Sequence, residues 1–275
     1  MLTSETKRVV LVTGSSGIVG RHVTELIHKT SKNVEIKRFN GDILDIANIR
    51  KQLKKLNKLD EVIHLAAFVP IDEVTNNPAK AFAVNVGGTC NLLNGIIDAG
   101  FKPHFFHCSS SHVYQPANEP LKEDGKLEPS SIYGKTKLIS EMVCSEICSA
   151  IGLKFCIGRV FSIHDPAQTG TFLRPNIVKR LCSEDLSKEF NLIGGDSIRD
   201  FLLAREAAKL IVDLSRFHFD GVINIASGKP TKIRDFVQEL ASVSLNIKSL
   251  GESDTMIANI EKLTHFLKWS SKQDV

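Results

Sequence analysis

The run Val9-Val10-Leu11-Val12-Thr13-Gly14-Ser15-Ser16-Gly17-Ile18-Val19-Gly20 constrains the fold more than any other stretch of the chain. An apolar, β-branched segment stops abruptly in small residues, and glycines recur at positions 14, 17 and 20. The helical pattern His22, Val23, Leu26, Ile27 then follows. A buried strand that turns tightly into a helix offers an anion unpaired backbone N–H groups and the positive end of the helix dipole. In such a turn Gly14 permits the bend, Gly17 lets the backbone approach a pyrophosphate, and Gly20 lets the helix lie close on the strand. The spacing therefore predicts a dinucleotide site formed by Gly14, Ser16, Gly17, Ile18, Val19 and Gly20.

Beyond the turn, strands and helices alternate. That order implies parallel, right-handed βαβ units and an α/β, Rossmann-type doubly wound sheet. Ser31-Lys32-Asn33 breaks the first helix, and a second strand is expected over about 34–39. Dinucleotide sites place an acid near the end of this strand, on the adenosine ribose; here that place falls at Arg38. A cation there either suits a 2′-phosphate, favouring NADP over NAD, or is a solvated surface arginine. Gly41-Asp42-Ile43-Leu44-Asp45 follows too soon for another helix and strand, and Asp45 or Asn48 is placed to cap a helix through Leu53 and Leu56. A further buried strand over about 59–67 ends in Leu65-Ala66-Ala67, where small side chains leave room for a flat cofactor at the sheet's carboxyl edge. Residues 68–77 read as a loop, and Pro78 begins a helix that Gly100 stops. Asn85 lies in an apolar stretch of that helix and needs a partner if buried. It is a structural polar group, or it holds a water or backbone carbonyl near the reacting atoms. The segment 103–108 is the next strand.

Composition narrows the class. A chain of 275 residues accommodates one large domain with a small lobe: a dinucleotide-binding part over 1–160 and a substrate-binding lobe over 161–275, with a segment at about 200–230 returning to the core sheet. A net charge of +4 gives no argument for nucleic acid or a membrane surface, and no apolar run reaches the length of a membrane span. Met1 to Thr6 is polar and lacks the apolar core of a secretory signal. Cys90, Cys108, Cys144, Cys148, Cys156 and Cys182 form no Cys-x-x-Cys pair and no metal-ligand pattern. A cytoplasmic protein with reduced thiols and no metal is expected.

The chemistry lies in the middle of the chain. The strand at 103–108 runs into Ser109-Ser110-Ser111-His112-Val113-Tyr114, and Tyr133-Gly134-Lys135-Thr136-Lys137 opens an apolar helix. Tyr133 and Lys137, four residues apart, lie on one helix face. A cation beside a phenol favours the phenolate and lowers its pKa, which tunes tyrosine for proton transfer. A serine at the nearby strand end is placed to hydrogen-bond the same substrate oxygen.

Together these pieces resemble the extended short-chain dehydrogenase/reductases of the nucleotide-sugar epimerase/dehydratase type. The matching motifs are the Thr13–Gly20 turn, Gly41-Asp42-Ile43, His64-Leu65-Ala66-Ala67, Asn85-Val86-Gly87-Gly88-Thr89, the serine run before Val113-Tyr114, and Tyr133 through Lys137. The resemblance implies an NAD(P) cofactor. It implies that Tyr133 is the general acid/base, and that Lys137 binds the nicotinamide ribose and lowers the tyrosine pKa. Ser110 would be the catalytic hydroxyl, with Ser111 its neighbouring candidate. Asp42 and Ile43 would contact the adenine, and Asn85 would sit near the nicotinamide end. It also implies a homodimer built on the helices that carry Asn85 and Tyr133.

The second half resembles the family less closely. Phe161-Ser162-Ile163-His164-Asp165-Pro166 resembles its Phe-Asn-Val-Tyr-Gly-Pro turn, with Ser162 in place of a sugar-contacting Asn. Arg199-Asp200-Phe201 resembles its Arg-Asp-Phe/Tyr motif, so Arg199 is the expected contact to a nucleotide diphosphate. Ser111, His112 and Ser162 are the other expected substrate contacts. A dehydratase of this family has Asp-Glu where this chain has Ser111-His112, which argues against dehydration. Arg38, the short passage to Gly41-Asp42 and the small lobe lean towards a reductase of a nucleotide-bound 4-keto-6-deoxyhexose. An NAD-dependent 4-epimerase and a non-catalytic NAD(P)-binding regulator are the alternatives, and the regulator is disfavoured because Tyr133 and Lys137 are both present.

Overall fold

The computed structural model describes residues 7–30 and 33–273, so the readings of Met1–Thr6 and of the Ser31-Lys32 break lie outside the described residues. The first half forms β1 (Arg8–Thr13), α1 (Ile18–Thr30), β2 (Val34–Arg38), α2 (Ile46–Leu53) and β3 (Glu61–His64). It continues with α3 (Ile71–Asn76), α4 (Pro78–Phe82), a π-helical turn at Ala83–Gly87, α5 (Gly88–Asp98), β4 (His104–Ser110), α6 (Ile132–Ile151) and β5 (Phe155–Val160). One parallel six-stranded sheet runs in the order β2-β1-β3-β4-β5-β9, closed at one edge by β9 (Gly221–Ile225).

The short passage after β2 decides where the chain turns back. Asp45 caps α2 by accepting the Asn48 N–H at 2.9 Å. The chain then crosses to the far side of β1, where β3 pairs in the register Val10↔Glu61. Strand order therefore reverses between β1 and β3, which opens a crevice at their carboxyl ends. Alternation along β1 divides the core between the two faces of the sheet. Val10 and Val12 pack with Val23 and Ile27 of α1 on one face, and Val9 and Leu11 with Ile49, Leu53, Leu92 and Ile96 on the other.

The segment at 68–77 is not simply a loop, because α3 forms within it. Asp72 and Glu73 in its first turn suit the positive end of a short helix, and Val74 is its only buried anchor. A six-residue helix with Ile71 and Val74 as its only apolar residues is too short to show a period, so it is silent in the sequence.

After β5 the chain forms β6 (Ser162–His164), α7 (Leu173–Ser183), β7 (Glu189–Ile193) and β8 (Ile198–Leu203). Helix α8 (Ala204–Arg216) then packs against α1, and β9 completes the main sheet. The remainder is β10 (Pro230–Lys232), α9 (Ile233–Leu240), β11 (Asn246–Leu250), β12 (Thr255–Met256) and α10 (Glu261–Ser270). The small lobe is built on β8, paired with β6, β10 and β12, and on the parallel pair β7–β11. Asp200 ties β8 down from a fully buried position, accepting from Ser227 N at 2.8 Å, Ser227 Oγ at 2.7 Å and Gly228 N at 2.8 Å. No helix among the described residues is long and apolar enough to cross a membrane.

A buried ion pair joins α6 to the sheet. Arg159 on β5 places Nη2 at 2.8 Å from Glu141 Oε2, and both side chains are about 5 % exposed or less. Arg159 also donates to Tyr114 Oη at 2.9 Å and to the Glu123 carbonyl at 2.8 Å, while Ser109 on β4 donates to Glu141. A desolvated pair is sustained only when both partners and their remaining polar atoms are satisfied. Arg159→Met leaves Glu141 buried without its counter-charge, so the chain should lose about 3–5 kcal/mol of stability. Urea denaturation of the two proteins at neutral pH measures that loss.

Candidate active site

A cleft of about 1400 Å³ follows the carboxyl edge of the sheet, from the β1–α1 turn to the small lobe. The turn is shaped by what its glycines lack. Gly14 has φ +66°, and a Cβ there would sit 2.7 Å from Ala66 N. A Cβ on Gly20 would sit 2.1 Å from the Gly14 carbonyl oxygen, so α1 reaches β1 only because that atom is missing. Gly14, Ser16, Gly17, Ile18, Val19 and Gly20 all line the cleft, with Asp42, Ile43, Leu65, Ala66 and Ala67 beside them. A backbone cradle at a helix N-terminus, flanked by small side chains, fits the pyrophosphate and flat rings of a dinucleotide.

Opposite the turn, Ser110, Ser111, His112, Tyr133, Lys137 and Ser162 also line the cleft. The Ser131 hydroxyl caps α6 by accepting the Gly134 N–H at 3.0 Å, which starts the helix just ahead of Tyr133. Gly134 lets the helix press on the serine loop, since a Cβ there would lie 2.2 Å from the His112 carbonyl oxygen. The His112 ring meets the Tyr133 ring edge-on at 5.6 Å. Burial pushes the Tyr133 phenol above its ordinary pKa, neighbouring Cys108 adds to the rise, and a side-chain hydrogen bond with Ser110 opposes it. Burial lowers the Lys137 ammonium, opposed by Cys108 and Glu141. Lys137 is 3 % exposed, and its ammonium has no hydrogen bond or ion pair among the described residues.

The Lys137 charge acts on Cys108, His64 and His107. Helical spacing puts the two residues on one face, but burial of the phenol governs its proton.

Three residues expected at the cleft are placed elsewhere. Arg38 does not line the cleft; it lines a separate groove beside β2 with Lys7, His28 and Ile36, while Phe39, Asn40 and Arg21 line the cleft. Alternation along β2 turns Arg38 to the same side as Val34 and Ile36. Arg199 is also off the wall: its Nη2 pairs with Asp254 Oδ1 at 2.7 Å, and Nη1 donates to the Ile198 and Asp254 carbonyls at 3.0 and 3.2 Å. Asn85 is buried behind the cleft, accepting from Phe68 N at 2.7 Å and donating to Phe68 O at 3.0 Å and Thr136 Oγ1 at 2.9 Å. Of its two open readings, the contacts are those of a holder of backbone, and they clip the loop after β3 to α6.

Asn85 belongs to a longer buried chain. The Asn85 carbonyl accepts from Thr89 Oγ1 at 2.8 Å, and Thr89 Oγ1 lies 3.1 Å from His64 Nε2. Thr89 has spent its only proton, so His64 Nε2 is the donor and Nδ1 accepts from Thr13 Oγ1 at 2.7 Å. Thr13 Oγ1 in turn accepts the Ala66 N–H at 3.2 Å.

Several cleft residues carried no clear signal in the sequence. Cys108, Arg21, Arg174 and Phe236 line it, and Phe236 stacks at 4.2 Å on Phe201 of the Arg-Asp-Phe motif, with His164 edge-on to both. His164 belongs to the pocket wall. Phe236 has the spacing of an ordinary core residue on α9. Near the mouth, His22 Nε2 on α1 lies 2.6 Å from Asp165 Oδ2, joining the large domain to the chain that enters the lobe.

The chain is similar to known proteins over nearly its whole length. The family model described as GDP-mannose 4,6 dehydratase matches residues 2–273. The chain belongs to that family, within the extended short-chain dehydrogenase/reductases. A GDP-6-deoxy-D-mannose reductase from Pseudomonas aeruginosa is 27% identical over 245 residues, covering 86% of this chain and 80% of the relative. A UDP-glucose 4-epimerase from Lactobacillus helveticus is 24% identical over 306 residues, covering 96% and 92%. Among solved structures, RMD from Pseudomonas aeruginosa, complexed with NADPH, superposes with a TM-score of 0.86 at 24% identity, covering 96% of this chain and 93% of that one. The Thermus thermophilus UDP-glucose 4-epimerase, in complex with NAD, gives 0.78 at 21% identity, covering 94% and 92%.

The buried relay sets an acid limit on stability. Burial foremost, with the Lys137 charge, lowers His64 from 6.5 to about 3. The unfolded chain therefore takes up a proton below about 6.5 that the folded chain takes up only near 3. Stability should fall as pH drops through that window, with His64 contributing about 1.4 kcal/mol per pH unit. Denaturation midpoints between neutral and acid pH measure the slope, which should be shallower by that amount in His64→Gln.

Proposed function

We propose that the chain is an NAD(P)-dependent oxidoreductase acting on a nucleotide-activated sugar, and that its reaction is reduction of a nucleoside-diphosphate 4-keto-6-deoxyhexose. The observation that carries this reading is the placement of Ser110, Tyr133 and Lys137 on one wall of a cleft whose opposite end is the side-chain-free turn at Gly14, Gly17 and Gly20. A reduced nicotinamide cofactor bound at that turn would supply the hydride for the sugar carbonyl carbon. The chain's own residues handle the oxygen and the proton. Ser110 donates a hydrogen bond to the carbonyl oxygen and orients it. Tyr133 gives that oxygen its proton as negative charge develops there. Burial stabilises the protonated phenol, which is the form a proton donor needs at neutral pH. Lys137, a buried ammonium without a protein partner among the described residues, holds the nicotinamide ribose hydroxyls.

Asp42 and Ile43, on the cleft wall beside the turn, take the adenine. The cofactor favoured is NADP, with Arg21 in place of Arg38 as the cation on the wall next to the turn. Ser111, His112 and Ser162 face the sugar. The similarity to a GDP-6-deoxy-D-mannose reductase supports the reductive reading, and the similarity to UDP-glucose 4-epimerases supports the NAD-dependent epimerase as the second. Ile97 on α5 and Ile139 and Met142 on α6 are exposed apolar residues on neighbouring helices, and they support self-association as a homodimer through that face.

The reading is tested with dTDP-4-keto-6-deoxyglucose and NADPH. Tyr133→Phe should lower kcat by about 10²–10⁴-fold with NADPH binding retained, the usual range for losing a positioned acid. Unchanged turnover overturns the assignment. NAD that co-purifies with the gently isolated protein and is regenerated each turnover would favour the epimerase.

A further inference from the structure

The lobe contains two arginines placed to meet an anionic substrate, and the fold treats them in opposite ways. Arg199, in the position that resembles the family's diphosphate-contacting arginine, is already engaged. Its guanidinium pairs with Asp254 Oδ1 at 2.7 Å and also donates to two backbone carbonyls. It ties β8 to the segment leading into β12, and it lies off the cleft wall. Recruiting it to a phosphate would require breaking a charge-assisted contact and leaving Asp254 without its counter-charge.

Arg174 is the reverse case. It stands in the first turn of α7, is half-buried, and lines the cleft. No hydrogen bond or ion pair engages its guanidinium among the described residues. Of the three acids whose charges act on the His164 ring beside it, Asp165 is engaged by His22 and the Ala167 N–H, Glu206 by the Leu203 N–H at the start of α8, and Glu239 makes no ion pair with Arg174. The wall around Arg174 is apolar and aromatic, with Phe172 and Leu173 preceding it and the Phe201–Phe236 stack and His164 in the same cleft. His164 Nδ1 is buried without a partner, and the Arg174 charge acts on that ring. Three arginines and lysines line the cleft; Arg21 and Lys137 stand by the dinucleotide turn and the proposed proton donor, which leaves Arg174 for a second anion.

We infer that Arg174, and not Arg199, is the residue that holds the diphosphate of the nucleotide-activated substrate, while Arg199 is a brace within the lobe. The inference rests on the nucleotide-sugar reading above. A guanidinium set in a partly desolvated aromatic wall makes strong, planar contacts to phosphate oxygens and stabilises bound substrate without touching the reacting carbon. Arg174 therefore acts on affinity, and the chemical step remains with Ser110 and Tyr133.

The test uses the full chain saturated with NADPH and titrated calorimetrically with GDP, UDP and dTDP. Arg174→Ala should weaken the tightest of the three by about 10- to 100-fold, the scale of a lost charged hydrogen bond, with NADPH affinity unchanged. Arg174→Gln keeps the length of the side chain and guards against a packing defect, and it should show the same loss. Arg199→Ala should lower the thermal midpoint while leaving nucleoside-diphosphate affinity within about twofold. In turnover, the Arg174 variants should raise KM for the nucleotide sugar far more than they lower kcat. Parent-like affinity in both Arg174 variants overturns the inference, as does a loss confined to Arg199→Ala. A wild-type chain that binds NADPH but none of the three nucleotides overturns the nucleotide-sugar reading itself, an outcome separable from the others because no variant is involved.

Discussion

The seating of α6 against the end of β4 is the contact on which the rest of the site depends. Gly134 allows the helix to reach the His112 carbonyl, and Glu141, two turns along, locks into Arg159 and Ser109. These contacts set Tyr133 beside Ser110 and leave Lys137 buried one turn along the helix. A buried ion pair contributes little net stability over a well-packed apolar core, but it tolerates few alternative arrangements. Its use here is best understood as fixing one register of the helix, since a shift of either element would leave a charge buried and unmatched.

The dinucleotide end is held by a different device. The chain of contacts from Ala66 through Thr13, His64, Thr89 and Asn85 to Thr136 crosses β1, β3, α5 and α6. Its five side chains, Thr13, His64, Thr89, Asn85 and Thr136, are all buried, and each proton has one acceptor, so the network is satisfied. It links the glycine turn to the helix of the proposed proton donor through hydrogen bonds. The His22–Asp165 contact then ties the mouth of the cleft to the small lobe from the other side.

Polar and apolar walls are divided along the cleft. At the turn the surface is backbone and small side chains; at the centre it is hydroxyls and one ammonium; in the lobe it is stacked aromatic rings with one arginine. Each suits a different part of a large, charged pair of ligands, and the order along the cleft follows the order of strand ends across the sheet. The parallel sheet supplies that order, because every strand delivers its carboxyl end to the same edge.

The sequence alone determined the doubly wound sheet, the strand–turn–helix at Gly14–Gly20, a helix cap at Asp45 or Asn48, and Tyr133 and Lys137 on one helix face. These features are local: they follow from hydrophobic period, from glycine spacing, and from helical geometry over four residues. The tertiary structure decided which charges face the ligand. Arg199 is claimed by Asp254, 55 residues away, and Arg38 is turned aside by the pleat of an edge strand. Asn85 is fixed by Phe68 and Thr136, and the phenol of Tyr133 is governed by burial more than by the lysine one turn along. Partner choice and desolvation depend on groups brought together from distant parts of the chain, and a linear pattern holds no record of them.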